Sequence, residues 1–189
     1  MRLISISLAL MGLLIQQSSA VTWYFLQWYT PTTSAQFQSF SMQMVAPNLQ
    51  QPGVYYLWPG LQDNSLTGVY QEVLDGGSGE WWIGPGCNPS LAWGSGFNVP
   101  NQDAVQISMT RNADGINWTS NLTMGSSFVS NSFPLAYKNF NQALLAIELY
   151  DLTWDFGKLV FNNVVMVVNT TATAWCTSQT PAISIPEAY

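Results

Sequence analysis

The chain has 189 residues, with four basic side chains, ten acidic ones and no histidine, for a net charge of −6 at neutral pH. That balance excludes nucleic acid and anionic membranes as natural partners. The missing imidazole excludes histidine-assisted serine or cysteine hydrolysis and removes the commonest metal ligand, and neither a cofactor motif nor a metal cluster is visible.

Residues 1–20 read as a secretory signal. Arg2 gives the positive end, Leu3 to Ile15 the apolar stretch, and Ser18-Ser19-Ala20 the small residues before a cut. The expectation is an exported, extracellular protein with one domain over 21–189. No later segment reaches about 18 uninterrupted apolar residues, so no membrane association is expected.

From there, short runs rich in Val, Ile, Phe, Tyr, Trp and Thr recur at 37–45, 54–58, 68–74, 80–83, 104–110, 116–123, 127–133, 144–150, 158–168 and 172–177. Gly, Pro, Asn and Asp separate them, as in Pro59-Gly60, Gly76-Gly77 and Gly84-Pro85-Gly86. This spacing predicts an all-β fold, an antiparallel two-sheet β-sandwich or jelly roll, with a monomer expected.

Glu148 stands in the apolar run 144–150. Alternation puts Leu145, Ile147 and Leu149 on one face, and Ala146, Glu148 and Tyr150 on the other. A carboxylate there must reach solvent or a groove, or bear the cost of desolvation. Glu80 beside Trp81-Trp82 could line a binding trough with Trp58 and Trp93, although aromatic residues serve equally as core.

Cys87 and Cys176 are the only cysteines. In an exported chain they are expected to form one disulfide, worth on the order of 4 kcal/mol in the chain-entropy account. Asn117, Asn121 and Asn169 each open an Asn-X-Thr glycosylation sequon.

Several blocks, in order, resemble the fungal glutamic peptidases, the eqolisins. These are acid endopeptidases built on a lectin-like (concanavalin A-like) sandwich. Tyr55-Tyr56-Leu57-Trp58-Pro59-Gly60-Leu61 resembles the family's tryptophan-bearing strand and turn, and Val69-Tyr70-Gln71-Glu72-Val73 its glutamine strand. The segment from Phe97 to Met109 and the strand Trp118-Thr119-Ser120-Asn121-Leu122-Thr123 follow in family order. Ala146-Ile147-Glu148, then Asp155-Phe156-Gly157-Lys158-Leu159-Val160-Phe161, is the most specific match. The family's Asn-Trp-Ala-Gly opening is absent, and Trp23 and Trp28 stand in another context.

The resemblance implies a polypeptide substrate, no cofactor, and a catalytic pair formed by Gln71 and Glu148. The pair is expected on neighbouring strands, converging within hydrogen-bonding or one-water reach, with Trp58, Trp82 and Tyr150 contacting substrate. Such a pair suits acid, where a glutamate can act as base and then acid while a neutral amide donates to an oxyanion. Alternation leaves the side of Gln71 open: it points inward if Val69 and Val73 face the core, and into the groove if Tyr70 and Leu74 do. A second reading is a catalytically silent sandwich that binds glycan or cell-wall polymer through an aromatic groove.

Overall fold

The computed structural model describes residues 21–88, 91–136 and 138–184. Its strands are β1 (Val21–Tyr29), β2 (Phe37–Val45), β3 (Tyr55–Asp63), β4 (Val69–Asp75), β5 (Trp81–Asn88), β6 (Phe97–Val99), β7 (Ala104–Arg111), β8 (Asn117–Met124), β9 (Ser127–Pro134), β10 (Phe140–Tyr150), β11 (Val160–Val168) and β12 (Thr180–Ser184). They form a seven-stranded sheet ordered β12-β1-β10-β3-β4-β5-β6 and a five-stranded sheet ordered β11-β2-β7-β8-β9. Every pairing is antiparallel, and the two sheets make the expected sandwich. The signal-sequence reading falls on residues outside those described. No helix among the described residues is long and apolar enough to cross a membrane.

Alternation builds the core. Phe40, Met42 and Met44 of β2, Ile107 and Met109 of β7, and Trp118 and Leu122 of β8 point inward from the smaller sheet. Leu57, Leu61, Tyr70, Leu74, Trp81, Ile83, Ala143, Leu145 and Leu149 meet them from the larger. The Tyr70 ring packs against Trp118, Phe133 and Phe140 at centroid separations of 5.9, 5.5 and 6.0 Å, each contact worth about 0.5–1.5 kcal/mol beyond area burial.

Because Tyr70 and Leu74 are core, Gln71 turns to the opposite face with Val69 and Val73. That outer face carries an apolar cluster of its own, Trp58, Val73, Leu144 and Ala146, backed by Phe25, Tyr56 and Val69. A sheet that is apolar on both faces explains why alternation alone did not orient Gln71.

The other face of the smaller sheet contrasts with it. Ser39, Thr110, Thr119 and Ser132 form one row across β2, β7, β8 and β9, and Ser41, Ser108, Asn121 and Ser130 form the next. Asn121 and Asn117, two of the sequon residues, lie on this uncharged face, and Asn117 donates to Asp114 at 2.8 Å. Asn169 follows β11 and accepts from the Gln36 backbone at 2.6 Å.

Several expectations need correction. Pro59-Gly60 and Gly84-Pro85-Gly86 are not turns but lie inside β3 and β5. Residues 174–177 form a 3₁₀ turn rather than strand, and β1, β6 and β12 are additional strands. Cys176 is a free, exposed thiol. Its turn packs on β1 and on Phe37, whereas Cys87 pairs with Tyr70 from β5. The expected Cys87–Cys176 bond is not seen at Cys176, and the side chain of Cys87 lies outside those described.

Candidate active site

Register along the outer face of the larger sheet fixes what meets there. One row reads Trp23, Glu148, Tyr56, Asp75, Trp82 across β1, β10, β3, β4 and β5. Two residues along, Phe25, Ala146 and Trp58 are neighbours, and Val73 neighbours Gly84. The next row reads Gln27, Leu144, Gly60, Gln71, Gly86.

The glycines make the groove. Trp58 folds back over Gly60, where a Cβ would lie 3.0 Å from the indole and 2.7 Å from Val69 Cγ1. Trp82 lies over Gly84 so closely that a Cβ there would collide with its ring, and a Cβ at Gly86 would meet Trp93 at 2.7 Å. Glycine inside a strand weakens it, but here it lets indoles lie flat on the sheet and leaves Gln71 flanked by two residues without side chains.

Glu148 is held from two sides. Trp58 Nε1 donates to Oε2 at 3.2 Å, and the Tyr150 hydroxyl donates to Oε1 at 2.7 Å. Burial, and then the bond to Glu148, raise the Tyr150 pKa, so the phenol remains a donor at every working pH. The Tyr56 ring meets Tyr150 edge-on at 5.7 Å. Burial, and then the negative charges of Asp75 and Glu148 on either side, raise the Tyr56 pKa as well.

Gln71 is only 7% exposed, yet its amide makes no hydrogen bond to a described residue. It lines two contiguous clefts, and so does Glu148. One, of about 300 Å³, is bounded by Tyr56, Val73, Asp75, Trp82, Trp93 and Tyr150. The other, of about 470 Å³, is bounded by Trp23, Phe25, Trp58, Gln62, Leu66, Gly68, Val69 and Leu144.

Gln71, Glu148, Trp58, Trp82 and Tyr150 therefore share one groove. The pair is not on neighbouring strands, because β3 lies between β4 and β10. Their backbones are two strands and two rows apart, roughly 10 Å across and 13 Å along. Among the described residues no hydrogen bond joins them. Both side chains open into the same two clefts.

Not every aromatic expectation places its residue in the groove. Trp81 is core, with its indole N–H donating to the Pro47 carbonyl at 2.7 Å, and Glu80 accepts from Asn98 at 2.9 Å. Tyr56, Asp75 and Trp23 are groove residues that sequence reading missed. Asp75 reads as a turn residue before Gly76-Gly77, and its Oδ1 does accept from the Gly77 amide at 2.8 Å. Its register beside Tyr56 is a tertiary fact. Among the described residues no group of three His, Cys, Asp or Glu side chains converges as for a metal ion.

The neighbouring Glu72 faces the other way. It is fully buried in the core, and its paired neighbour Pro85 on β5 is buried too. Burial pushes its pKa up to about 8, and the nearby Ser120 hydroxyl opposes this only in part. Among the described residues neither its oxygens nor Ser120 Oγ makes a hydrogen bond.

No family model matches the chain, and no curated protein matches it. Among solved structures, scytalido-glutamic peptidase with a peptide-based transition-state analogue is similar at a TM-score of 0.54 and 16% identity, over 79% of this chain and 77% of that one. The same peptidase with a transition-state analogue inhibitor is similar at 0.53 and 14% identity, over 90% and 89%. The carbohydrate-binding module CBM66 from Bacillus subtilis is similar at 0.43 and 10% identity, over 79% and 83%. At these identities the peptidase likeness shows the fold alone, a two-sheet β-sandwich.

Proposed function

We propose that the protein is an acid endopeptidase of the glutamic-peptidase kind, cleaving polypeptides laid in the groove of the larger sheet. One observation carries the reading: the uncommitted amide of a nearly buried glutamine and a carboxylate held by two donors open into the same two clefts. In this mechanism ionised Glu148 takes a proton from water as the oxygen attacks the scissile carbonyl. The Gln71 NH₂ donates to the oxyanion that forms, and the neutral amide does so at any pH. Glu148 then returns the proton to the departing amine. Trp58 and Tyr150 fix the carboxylate while it exchanges that proton. An extracellular, monomeric protein glycosylated at its sequons belongs to the same reading.

The aromatic lining of the smaller cleft, Tyr56, Trp82, Trp93 and Tyr150, favours a second reading in which the groove stacks on a glycan without cleaving it. Glu148→Gln separates the two. The wild-type protein should degrade a denatured protein between about pH 2 and 5, and the variant should not, with unfolding stability changed by no more than about 3 kcal/mol. Retention of the wild type on insoluble glycan through Trp82, without proteolysis at any acid pH, would replace the first reading with the second.

A further inference from the structure

We propose that the cleft of about 300 Å³ takes the cationic side chain of a lysine or arginine in the bound polypeptide, with Asp75 as its counter-charge. The inference deepens the peptidase reading and rests on it.

The two clefts differ in chemistry on either side of Glu148. The larger has Trp23, Phe25, Leu66, Val69 and Leu144 in its walls and no charged side chain except Glu148. In the smaller, Asp75 joins Glu148 in one row with Tyr56 between them. Among the described residues no basic side chain lines either cleft. Lys138 is committed to Asp63 at 3.3 Å, and Arg111 to the Gly115 carbonyl at 3.2 Å. The acids of the cleft therefore have no counter-charge from these residues.

Asp75 is placed for that use. Its Oδ1 is engaged by the Gly77 amide, while Oδ2 takes no hydrogen bond from a described residue. The Trp82 and Trp93 rings form the wall, and Tyr56 lies beside the carboxylate. Aromatic faces beside a carboxylate attract a cation through the ring quadrupole and through charge together. The Gln71 side chain, 7% exposed and without a hydrogen-bond partner among the described residues, also lines this cleft and presents a polar group to a ligand there. Because the clefts meet at Glu148 and Gln71, the preference should fall on one side of the cleaved bond only.

The test compares peptides that differ in a single residue, lysine or norleucine, at each position flanking the cleaved bond. In the wild type, kcat/KM should favour lysine by about tenfold at one position. Asp75→Asn retains the acceptor for the Gly77 amide, and it should bring the ratio within about twofold of unity, while Asp75→Glu retains the preference. The inference is overturned if no position favours lysine, or if the preference survives in Asp75→Asn. Should the wild type cleave neither peptide, the catalytic reading fails and the cation site is read separately by titrating indole fluorescence with the same pair. Tighter binding of the lysine peptide that is lost in Asp75→Asn then supports the site, and equal binding overturns it.

Discussion

The Tyr150 hydroxyl donates to Glu148 Oε1 at 2.7 Å from two residues further along the same strand and on the same face. Together with the Trp58 indole on Oε2, it leaves the carboxylate little rotational freedom. Tyr150→Phe removes one donor to a charged group and keeps the ring against Tyr56. A hydrogen bond of that kind is worth about 1.5–3 kcal/mol, so kcat/KM on a protein substrate should fall by about ten- to a hundredfold with a smaller change in stability. Steady-state kinetics at acid pH checks this, and an unchanged rate would remove Tyr150 from the positioning of Glu148.

Glu72 makes stability depend on pH in a known direction. Its folded pKa is raised to about 8 from the ordinary 4.5, so the folded protein holds this proton more tightly than the unfolded chain does. Its contribution is fully present below about pH 4.5, declines as pH rises, and is lost by about pH 8. The loss is on the order of a few kcal/mol. Urea denaturation at pH 4 and pH 8 should show a drop for the wild type that is clearly smaller for Glu72→Gln. Equal drops in the two proteins would show that Glu72 is not the group responsible.

Gly84 sets the position of Trp82. Alanine there places a methyl group in the indole, which must leave the groove floor, because Gly96 closes off its other side. Gly84→Ala should therefore weaken peptide or glycan binding about as much as Trp82→Ala does. Binding titrations of the two variants measure this, and wild-type affinity in Gly84→Ala would show that the indole has another place to lie.

Cys176 lies exposed on its 3₁₀ turn. A thiol reagent added to folded, unreduced protein should modify it within the first rapid phase, and Cys176→Ser should abolish that phase. A folded protein with no reactive thiol would restore the cross-link to Cys87.

The sequence by itself determined the sandwich, because strand alternation and turn residues are local and a chain without helical period has few other ways to bury its apolar side chains. It also singled out Glu148, since a carboxylate in an apolar run is conspicuous wherever the strand ends up. Gln71 was legible as a candidate but not as a groove residue. Its strand is apolar on both faces, and only the packing of Tyr70 against Trp118 decided which side became core. The Gly and Pro signals at 59–60 and 84–86 were misread as turns for a related reason. In these strands glycine serves the groove, Gly60 and Gly84 making room for the indole two residues earlier on the same strand and Gly86 for Trp93. Asp75 beside Tyr56, Trp23 beside Glu148 and β3 between the strands of Gln71 and Glu148 are matters of register. Register joins residues distant in the chain, and no local pattern encodes it until both sheets have closed on their common core.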